Sequence, residues 1–588
     1  MPTSRIILRR SLMDENGDDM STCRAIDIII PIYRNATLTK RCIDSILENI
    51  QEIRQFSPRL LLINDSPDDQ EVNGMLDALA ASNHDVITLT NTANCGFVKS
   101  VNRGLRISCR DGRDVILVNS DTQSFEGTLA NLVDAAYSDS QIGFACPRSN
   151  NASICSLPHL PDNDTAITAE GSYRRWKEIS ATLPRVHFTP TAIGFYLFIK
   201  HRVLKDVGEF SEEFGLGYHE ENDLIMRANK RGYRAVFANR SFAFHAGSAS
   251  FTLLDFDLAT LKNNNTKMLY ALYPEFGPLI ASYLSSAHFR AESLLSGLVG
   301  HSSGPIKAII DVSGLDCHHD ETIDLALDMI GTLNRRHRNI FELSVLCSAE
   351  SFTKFGISGI ANIICVGSGD PGKNAIAVRL GQPCDWNHIK LLESLAPVNI
   401  FGIHDTIAEE CGDPSGASYS SEYQQHVARH ANGLFFTSRS SEQSFCSRFS
   451  EAWALPRYTP SLPIKLSRLN GGVDVSSAVG WDEWVDGLAG FCKRSLEEAD
   501  LFHRLCNRLH ASDRIHSADR KENTIDAERN LASLLQHDDR QFIERAYRTV
   551  LKRPADPAGL ENHLALLRKG VPKLQILIGM KESPEGKK

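Results

Sequence analysis

The stretch Gly217 to Arg231, G-Y-H-E-E-N-D-L-I-M-R-A-N-K-R, sets an acidic cluster directly before an amphipathic run. Glu220, Glu221 and Asp223 come first; Leu224, Ile225, Met226 and Ala228 follow. Three carboxylates in four residues would repel one another in a buried core. A helix N-terminus, whose dipole favours negative charge, tolerates them. The pattern predicts a helix that starts at the acids. It places a carboxylate on a rigid element at the rim of a cleft, where a general base belongs. A solvated, capped helix start is the other reading of the same residues.

The residues upstream bear on that choice. Ile26 to Tyr33, I-D-I-I-I-P-I-Y, has a buried-strand pattern that Pro31 is expected to stop. Leu60 to Asp65, Val86 to Thr90 and Val115 to Val118 are three further apolar strands. Helical patterns lie between them, as at Leu38 to Ile50 and Met75 to Ala81. Alternating strand and helix predict an α/β fold with a mostly parallel sheet. Such sheets bind ligands at the carboxyl ends of their strands. Asp65, Asn94, Gly96, Lys99 and Asp121 all fall just after strands, so that is where a site is expected.

Seven segments in order carry a more specific resemblance: I-I-I-P-I-Y-R-N, L-I-N-D-S, N-C-G-F-V-K-S-V-N-R-G, L-V-N-S-D-T, A-I-G-F-Y-L-F-I-K, E-F-S-E-E-F-G-L-G-Y-H-E-E-N-D-L-I-M-R-A and F-H-A-G-S-A-S-F. Together they resemble the inverting family 2 glycosyltransferases of the GT-A fold, and by eye the bacterial rhamnosyltransferase-like branch. The resemblance implies a nucleotide-sugar donor, UDP- or dTDP-linked, and a glycan or lipid-linked glycan acceptor. A diphosphate leaving group needs its charge neutralised, which a divalent cation does. The expected cofactor is Mg²⁺ or Mn²⁺, a cation that takes few protein ligands and fills its shell with phosphate and water oxygens. By the resemblance Asp121 and His245 are its ligands. Asn119 stands where the family often has aspartate; its amide, a weaker ligand, suits the ribose or a bound water. Glu221 matches the family's base, with Glu220 and Asp223 orienting the helix start or the acceptor. Asp65 is expected to recognise the base, helped by Tyr33 or Asn35, with Pro31 in the same donor segment. Asn94 and Gly96 form a turn where backbone approaches the nucleotide. Lys99 is a donor-site residue or a solvated surface lysine. Gly194 and Phe195 match a segment lining the sugar or acceptor pocket.

A second alternation follows the linker His301 to Pro305, with strands at Ala308–Val312, Phe341–Leu346, Ile363–Val366, Asn399–Ile403 and Gly433–Phe436. This region, 305–500, resembles the N-terminal half of a family 4 glycosyltransferase of the GT-B fold through I-I-D-V-S-G-L, R-L-G-Q-P, I-F-G-I-H-D-T-I-A and H-A-N-G-L-F-F-T-S-R-S-S. The stretch from Phe449 to Trp481 is too short for the second Rossmann domain that would hold a GT-B donor, which needs on the order of a hundred residues. The region therefore reads as a Rossmann-like remnant for acceptor binding or docking, or as a packing partner. Trp481 to Leu496 is amphipathic, with Trp484, Leu488 and Phe491 at helical spacing. Residues 538–588 resemble a small helical domain of unknown function, through Arg553, Asp556, Pro557 and Gly559 in an inter-helix turn. The expected organisation is a flexible lead at 1–24, a GT-A domain at 25–295, the remnant at 305–500, a linker at 501–537 and the small all-α domain.

Composition sets outer bounds. The net charge of −9 in 588 residues argues against non-specific nucleic-acid binding. No apolar run approaches ~18 residues, so no membrane span is expected. The N-terminus lacks a secretory h-region. Fourteen scattered cysteines suit reduced thiols rather than a disulfide framework. The expected location is the cytoplasm, with peripheral association at the inner face of the plasma membrane. Cys317-His318-His319-Asp320 suggests zinc, but adjacent residues cannot all turn to one ion. Two functions remain open: an active transferase building a bacterial surface glycan, or a nucleotide-sugar-binding scaffold whose chemistry has lapsed.

Overall fold

The computed structural model describes residues 25–313 apart from 84, 160–167, 248–257 and 300–303. It further describes 320–513, leaving out 348, 355, 360–363, 367–373, 380–385, 404–420, 437, 460–466, 470–471, 475–480 and 497–499, and then 539–568 without 552, with 576 and 580. The N-terminal lead and the Cys317-His318-His319 run lie outside the described residues. The chain divides into two compact units, Met1–Asn507 and Arg508–Lys588.

β1 (Ile26–Ile32) is apolar at most positions and buried at all seven. A strand of that kind needs cover on both faces and a partner on both edges. β2 (Arg59–Asn64) and β4 (Asp114–Val118) pair with it in parallel, and β3 (Val86–Thr90) continues the sheet beyond β2. The crossovers are α1 (Ala36–Asn49), α2 (Gln70–Ser82) and α3 (Phe97–Arg110). Ile43, Ile46, Leu76, Val101 and Leu105 on these helices join the strand residues in one core.

Pro31 does not stop the first strand. β1 runs on to Ile32, with Pro31 in register with Ile63. The Ile32 carbonyl accepts the Asp65 N–H at 2.8 Å, so Ile32 turns its polar groups to β2. Pro31, one residue earlier, turns its nitrogen to the opposite edge, where pairing with β4 has ended at Ile29. The missing N–H costs no ladder bond there.

The sheet runs β3-β2-β1-β4-β8-β6-β9-β5, with β7 beside β9. The four strands marked by alternation in the sequence form its parallel block. Antiparallel pairing enters with β5 (Thr122–Ser124), β7 (Val186–Thr189) and β8 (Tyr196–Ile199), while β6 (Ile142–Arg148) and β9 (Arg234–His245) pair in parallel. Helices α4 (Thr128–Tyr137), α5 (Ala169–Ser180), α6 (His201–Val207) and α7 (Glu220–Asn229) connect these strands. Three helices follow: α8 (Leu258–Leu272), α9 (Phe276–Ser285) and α10 (Ala287–Leu295).

A buried ion pair ties α10 to the sheet. Arg148 at the end of β6 meets Glu292, and neither side chain is exposed. Arg148 Nε also donates to Asn239 Oδ1 at 2.7 Å, and its guanidinium lies 4.6 Å from the Phe237 ring centroid. Burial alone would raise the Glu292 carboxyl, but Arg148, aided by His187, outweighs it and holds the group down at about 2.

A second, all-parallel sheet occupies Ile306 to Tyr458, in the order β12-β11-β10-β13-β14-β15-β16. Its strands are β10 (Ile306–Asp311), β11 (Phe341–Leu346), β12 (Ile364–Val366), β13 (Ile376–Arg379), β14 (Val398–Ile403), β15 (Gly433–Phe436) and β16 (Arg457–Tyr458). Spatially this is a doubly wound order that reverses between β10 and β13. The strands β13 and β16 were not marked by sequence pattern. The helix Trp481–Arg494 buries Trp484, Leu488 and Phe491, as its spacing predicts. A short antiparallel ribbon, Ser467–Leu469 with Gly472–Asp474, precedes this helix in the chain. The linker boundary at 501 is corrected: residues 501–513 are helical, and Leu501, Phe502 and Leu505 are fully buried. The His288 and Phe502 rings lie 5.7 Å apart. The segment's apolar periodicity was masked by the charge that follows it.

The second unit contains the helices Asp539–Val550 and Pro557–Arg568. Asp556 caps the latter by accepting the Gly559 N–H at 2.8 Å, and Arg553 bonds Asp556 at 3.0 Å. Among the described residues, no helix is long and apolar enough to cross a membrane.

Glu292→Gln should destabilise the first unit by about 3–5 kcal/mol, because Arg148 is left charged and buried without its counter-ion. The double change Arg148→Met with Glu292→Leu should cost less, since no charge then remains inside. Urea unfolding checks the order, and a double variant weaker than the single one would refute it. The folded Glu292 value of about 2 lies below its ordinary 4.5. Its contribution is therefore complete above about pH 4.5 and lost as pH falls toward 2. Glu292→Gln should lack that part of the acid limb.

Candidate active site

A cleft of about 400 Å³ opens where the parallel strands end. Pro31 and Tyr33 reach it from the end of β1, Asp65 from the end of β2, and Asn94 and Gly96 from the turn before α3. Asn119 and Asp121 reach it from the end of β4, Gly194 and Phe195 from the approach to β8, Glu220 and Glu221 from the first turn of α7, and His245 from the end of β9. Three sequence-predicted site residues are not in its lining. Lys99 is exposed on α3, the solvated alternative of its two readings. Asn35 caps α1, its Oδ1 accepting the Leu38 N–H at 3.2 Å. Asp223 turns away to Tyr273, 2.7 Å from its hydroxyl, and to Arg227 Nε at 2.9 Å.

The acids of α7 are not the solvated cap that their charge suggested. Glu220 and Glu221 are 5% and 8% exposed. The start of the helix is fixed by His219 in a left-handed conformation, φ 76°, behind which Asn265 Nδ2 donates to the carbonyls of Phe214, Gly217 and Tyr218. Burial raises both carboxyls, but not alike. Glu221 is pushed up by burial to about 7, moderated by backbone N–H groups of the first turn and by Asn222. The Asn222 amide donates to Glu221 Oε1 at 2.9 Å, and its own Oδ1 accepts the Thr191 hydroxyl at 2.8 Å. Glu220 is lifted well above its ordinary range, first by burial and then by repulsion from Glu221. Glu220 Oε2 is buried with no hydrogen-bond partner. Both carboxyls are thus held toward the neutral form, and Glu221, with the Asn222 amide and more N–H donors, is the one whose ionised form is better supported. Gly194 faces it closely: a Cβ there would stand 3.4 Å from Glu221 Cγ.

Across the cleft, Asp121 and His245 are brought together by backbone pairing. Thr122 and His245 are in register between β5 and β9, and the Ala246 N–H donates to the Asp121 carbonyl at 3.0 Å. The side chains meet at 3.4 Å, His245 Nε2 to Asp121 Oδ1. His245 Nδ1 lies 2.7 Å from the Asn151 carbonyl. A proton on Nδ1 satisfies that carbonyl and leaves Nε2 as the nitrogen facing Asp121. Burial disfavours the imidazolium, yet Asp121 and Asn151 together raise its pKa. Among the described residues no group of three or more His, Cys, Asp or Glu gathers into a metal cage. A carboxylate and an imidazole side by side fit a cation that completes its shell with phosphate and water. The unpartnered Oδ1 of Asn119 lies buried in the same wall, a polar atom that a bound ligand or its water would satisfy.

Asp65 is already occupied. Its carboxylate accepts the N–H groups of Cys95 at 2.7 Å and Gly96 at 2.8 Å, and the Asn91 amide at 2.8 Å. Its part in this structure is to hold the turn before α3. Gly96, at φ +84°, carries that turn, and a Cβ there would also strike Leu216 at 2.9 Å.

Sequence reasoning missed several contributors. Asn151, Ala152 and Ser153 line the cleft after β6, and Tyr218 and Lys262 close its far side. Thr191 and Asn222 position Glu221 from behind. The Ser149-Asn150-Asn151 run after an apolar strand was the available signal for the first group; Lys262 had none.

Residues 27–201 match the family model described as Glycosyl transferase family 2, and 528–588 match a domain of unknown function, DUF4214. No curated protein matches the chain. One similar solved structure is a mannosyltransferase, PcManGT from Pyrobaculum calidifontis, in complex with GDP-Man and Mn²⁺. It is 18% identical at a TM-score of 0.29, over 39% of this chain and 58% of that one. Another is GalNAc-T7 with UDP, GalNAc and Mn²⁺, 14% identical at a TM-score of 0.32, over 46% of this chain and 52% of that one. The chain thus spans little more than half the length of either. The family match ends before α7 and His245. The matched residues run from β1 through β8 of the first sheet.

Proposed function

We propose that the first sheet forms an inverting glycosyltransferase that moves a sugar from a nucleotide-diphosphate donor to a hydroxyl of a bacterial surface glycan. The observation that carries this reading is the convergence, in one cleft, of the Glu220–Glu221 pair and the Asp121–His245 pair. The nucleoside belongs near Tyr33, Pro31 and the turn held by Asp65. Asp121 and His245 would hold Mg²⁺ or Mn²⁺, which when bound neutralises charge on the diphosphate. The donor nucleotide is expected to be UDP or dTDP, and the branch rhamnosyltransferase-like. Glu221, ionised and backed by Asn222, accepts the acceptor hydroxyl proton as its oxygen attacks the anomeric carbon. The bond to the diphosphate breaks on the opposite face, so the centre inverts. Glu220, lifted well above its ordinary range by burial and by Glu221, lies beside the reacting groups and is disfavoured as a second negative charge. The second sheet is read as a GT-B-like acceptor or docking module, and the enzyme as cytoplasmic, at the inner face of the plasma membrane. The alternative, a binding protein without chemistry, predicts nucleotide-sugar binding but no nucleotide release.

Release of nucleotide from UDP-, dTDP- and GDP-sugars tests the assignment. Glu221→Gln should lower turnover by about 10²–10⁴ while leaving donor affinity nearly unchanged. Glu220→Gln should cost far less, because Glu220 lacks the Asn222 support that fits Glu221 to accept the proton. The reverse order would move the base by one residue, and two active variants would reduce the pair to a helix cap.

The base must be ionised, and its pKa lies near 7. Turnover should therefore fall as pH drops through about 7 and level off above it. Asn222→Ala removes the amide that stabilises the Glu221 carboxylate, so the limb should move to higher pH. A limb unmoved by that change would contradict the role of Asn222.

Asp121→Ala should abolish the Mn²⁺-dependent rise in melting temperature with nucleotide, since His245 alone is a poor site. An undiminished Mn²⁺ effect would remove Asp121 from the ligand set.

A further inference from the structure

Lys262 on α8 is the only lysine or arginine among the described residues that line the cleft. Its surroundings are acidic. Asp65, Asp121, Glu220 and Glu221 share the lining. Three N–H donors already satisfy Asp65, and burial together with Glu221 favours the neutral form of Glu220. Asp121 and Glu221 remain as charges that repel an incoming polyanion.

The position of Lys262 is built rather than incidental. Asn265, three residues along α8, bonds three carbonyls of the segment that leads into α7. Thr266 bonds His219 Nε2 at 2.9 Å. Helix α8 and the entry to α7 are thereby locked together, and Lys262 is carried to the cleft mouth. Its ammonium rests 4.4 Å from the ring centroid of Tyr218, a cleft residue in left-handed backbone, φ 71°. Lys262 makes no ion pair among the described residues. Tyr218 is half-buried, but Lys262 itself is exposed, and a solvated ammonium is held only weakly by a ring. Phosphate oxygens compete for it easily, because the ammonium is a compact charge on a flexible stem.

We propose that Lys262 is a donor-binding residue whose ammonium leaves the Tyr218 ring to meet the terminal phosphate of a nucleoside diphosphate. This inference rests on the nucleotide-sugar reading of the cleft. When the bond between the anomeric carbon and the phosphate oxygen breaks, its electron pair stays on that oxygen. The acceptor oxygen bonds the carbon, and its proton passes to Glu221. The negative charge gained by the leaving group is the charge that Lys262 opposes. Lys262 works from the α7–α8 side, and Asp121 and His245 from the end of the sheet.

Isothermal titration of the full chain with UDP, dTDP and GDP, each beside its monophosphate and each with and without Mn²⁺, tests this. For the nucleotide that the wild-type protein binds, Lys262→Gln should weaken the diphosphate about tenfold or more, as for loss of a charged hydrogen bond. The matching monophosphate should weaken much less, and Lys262→Arg should restore most of the diphosphate affinity. The residue is exposed and on a helix surface, so both variants should melt like wild type. Equal loss for monophosphate and diphosphate, or no loss at all, would overturn the lysine assignment while leaving the cleft a nucleotide site. Failure of every nucleotide to bind the wild-type protein would overturn the nucleotide-sugar reading, and this inference with it.

Discussion

Two glutamates side by side, both buried, are the constraint on which the site depends. Glu220 and Glu221 cannot both ionise cheaply in a cleft wall. The fold answers with unequal surroundings. Glu221 receives the Asn222 amide and the N–H groups of the helix start, whereas Glu220 has an oxygen with no partner. The ionised form is therefore better supported at Glu221 than at Glu220. Separating the titrations of two like groups is how a site assigns base and neutral acid.

Keeping that arrangement requires a rigid start to α7. The left-handed turn at Tyr218 and His219 is unfavourable for residues with a Cβ. It is held from outside by Asn265 and Thr266 of α8. Tyr273 and Asp223 add a second tie at the far side of α7. Helix α8 and the residue that follows it are therefore part of the site's support. On the opposite wall, pairing of β5 with β9 does the corresponding work for Asp121 and His245. One half of the site is carried by helix α7 and the other by the paired strands β5 and β9, so neither half rests on a loop alone.

Much of this was legible in the sequence. The parallel block follows from apolar runs such as Ile26–Ile32 alternating with helical patterns, and a site at strand ends follows from Asp65, Asn119 and Asp121 standing where they do. The start of α7 was readable from its charge, but its burial was not, because burial is decided by α8 and by Gly194, distant in sequence. Pro31 was misread because a local rule about missing N–H groups cannot know which edge of the strand is free. The bonds that Asp65 makes to the turn about thirty residues on were not readable, because pattern alone does not fix a long-range closure. The helix at 501–513 was read as linker because the charged segment after it hid Leu501, Phe502 and Leu505. Lys262 carried no signal at all: a lysine in a polar helix is ordinary until the fold places it beside acids.

The central claim is that the cleft of the first sheet, and not the doubly wound second sheet, holds the nucleotide. The most direct measurement is a crystal structure of the full chain grown with Mn²⁺ and the nucleoside diphosphate that binds it, with the metal located by anomalous scattering. The account predicts a manganese peak within bonding distance of Asp121 and His245, shared with phosphate oxygens, and the base against Tyr33 and the Asp65 turn. Nucleotide density at the carboxyl ends of β10 and β13, with the first cleft vacant, would contradict it.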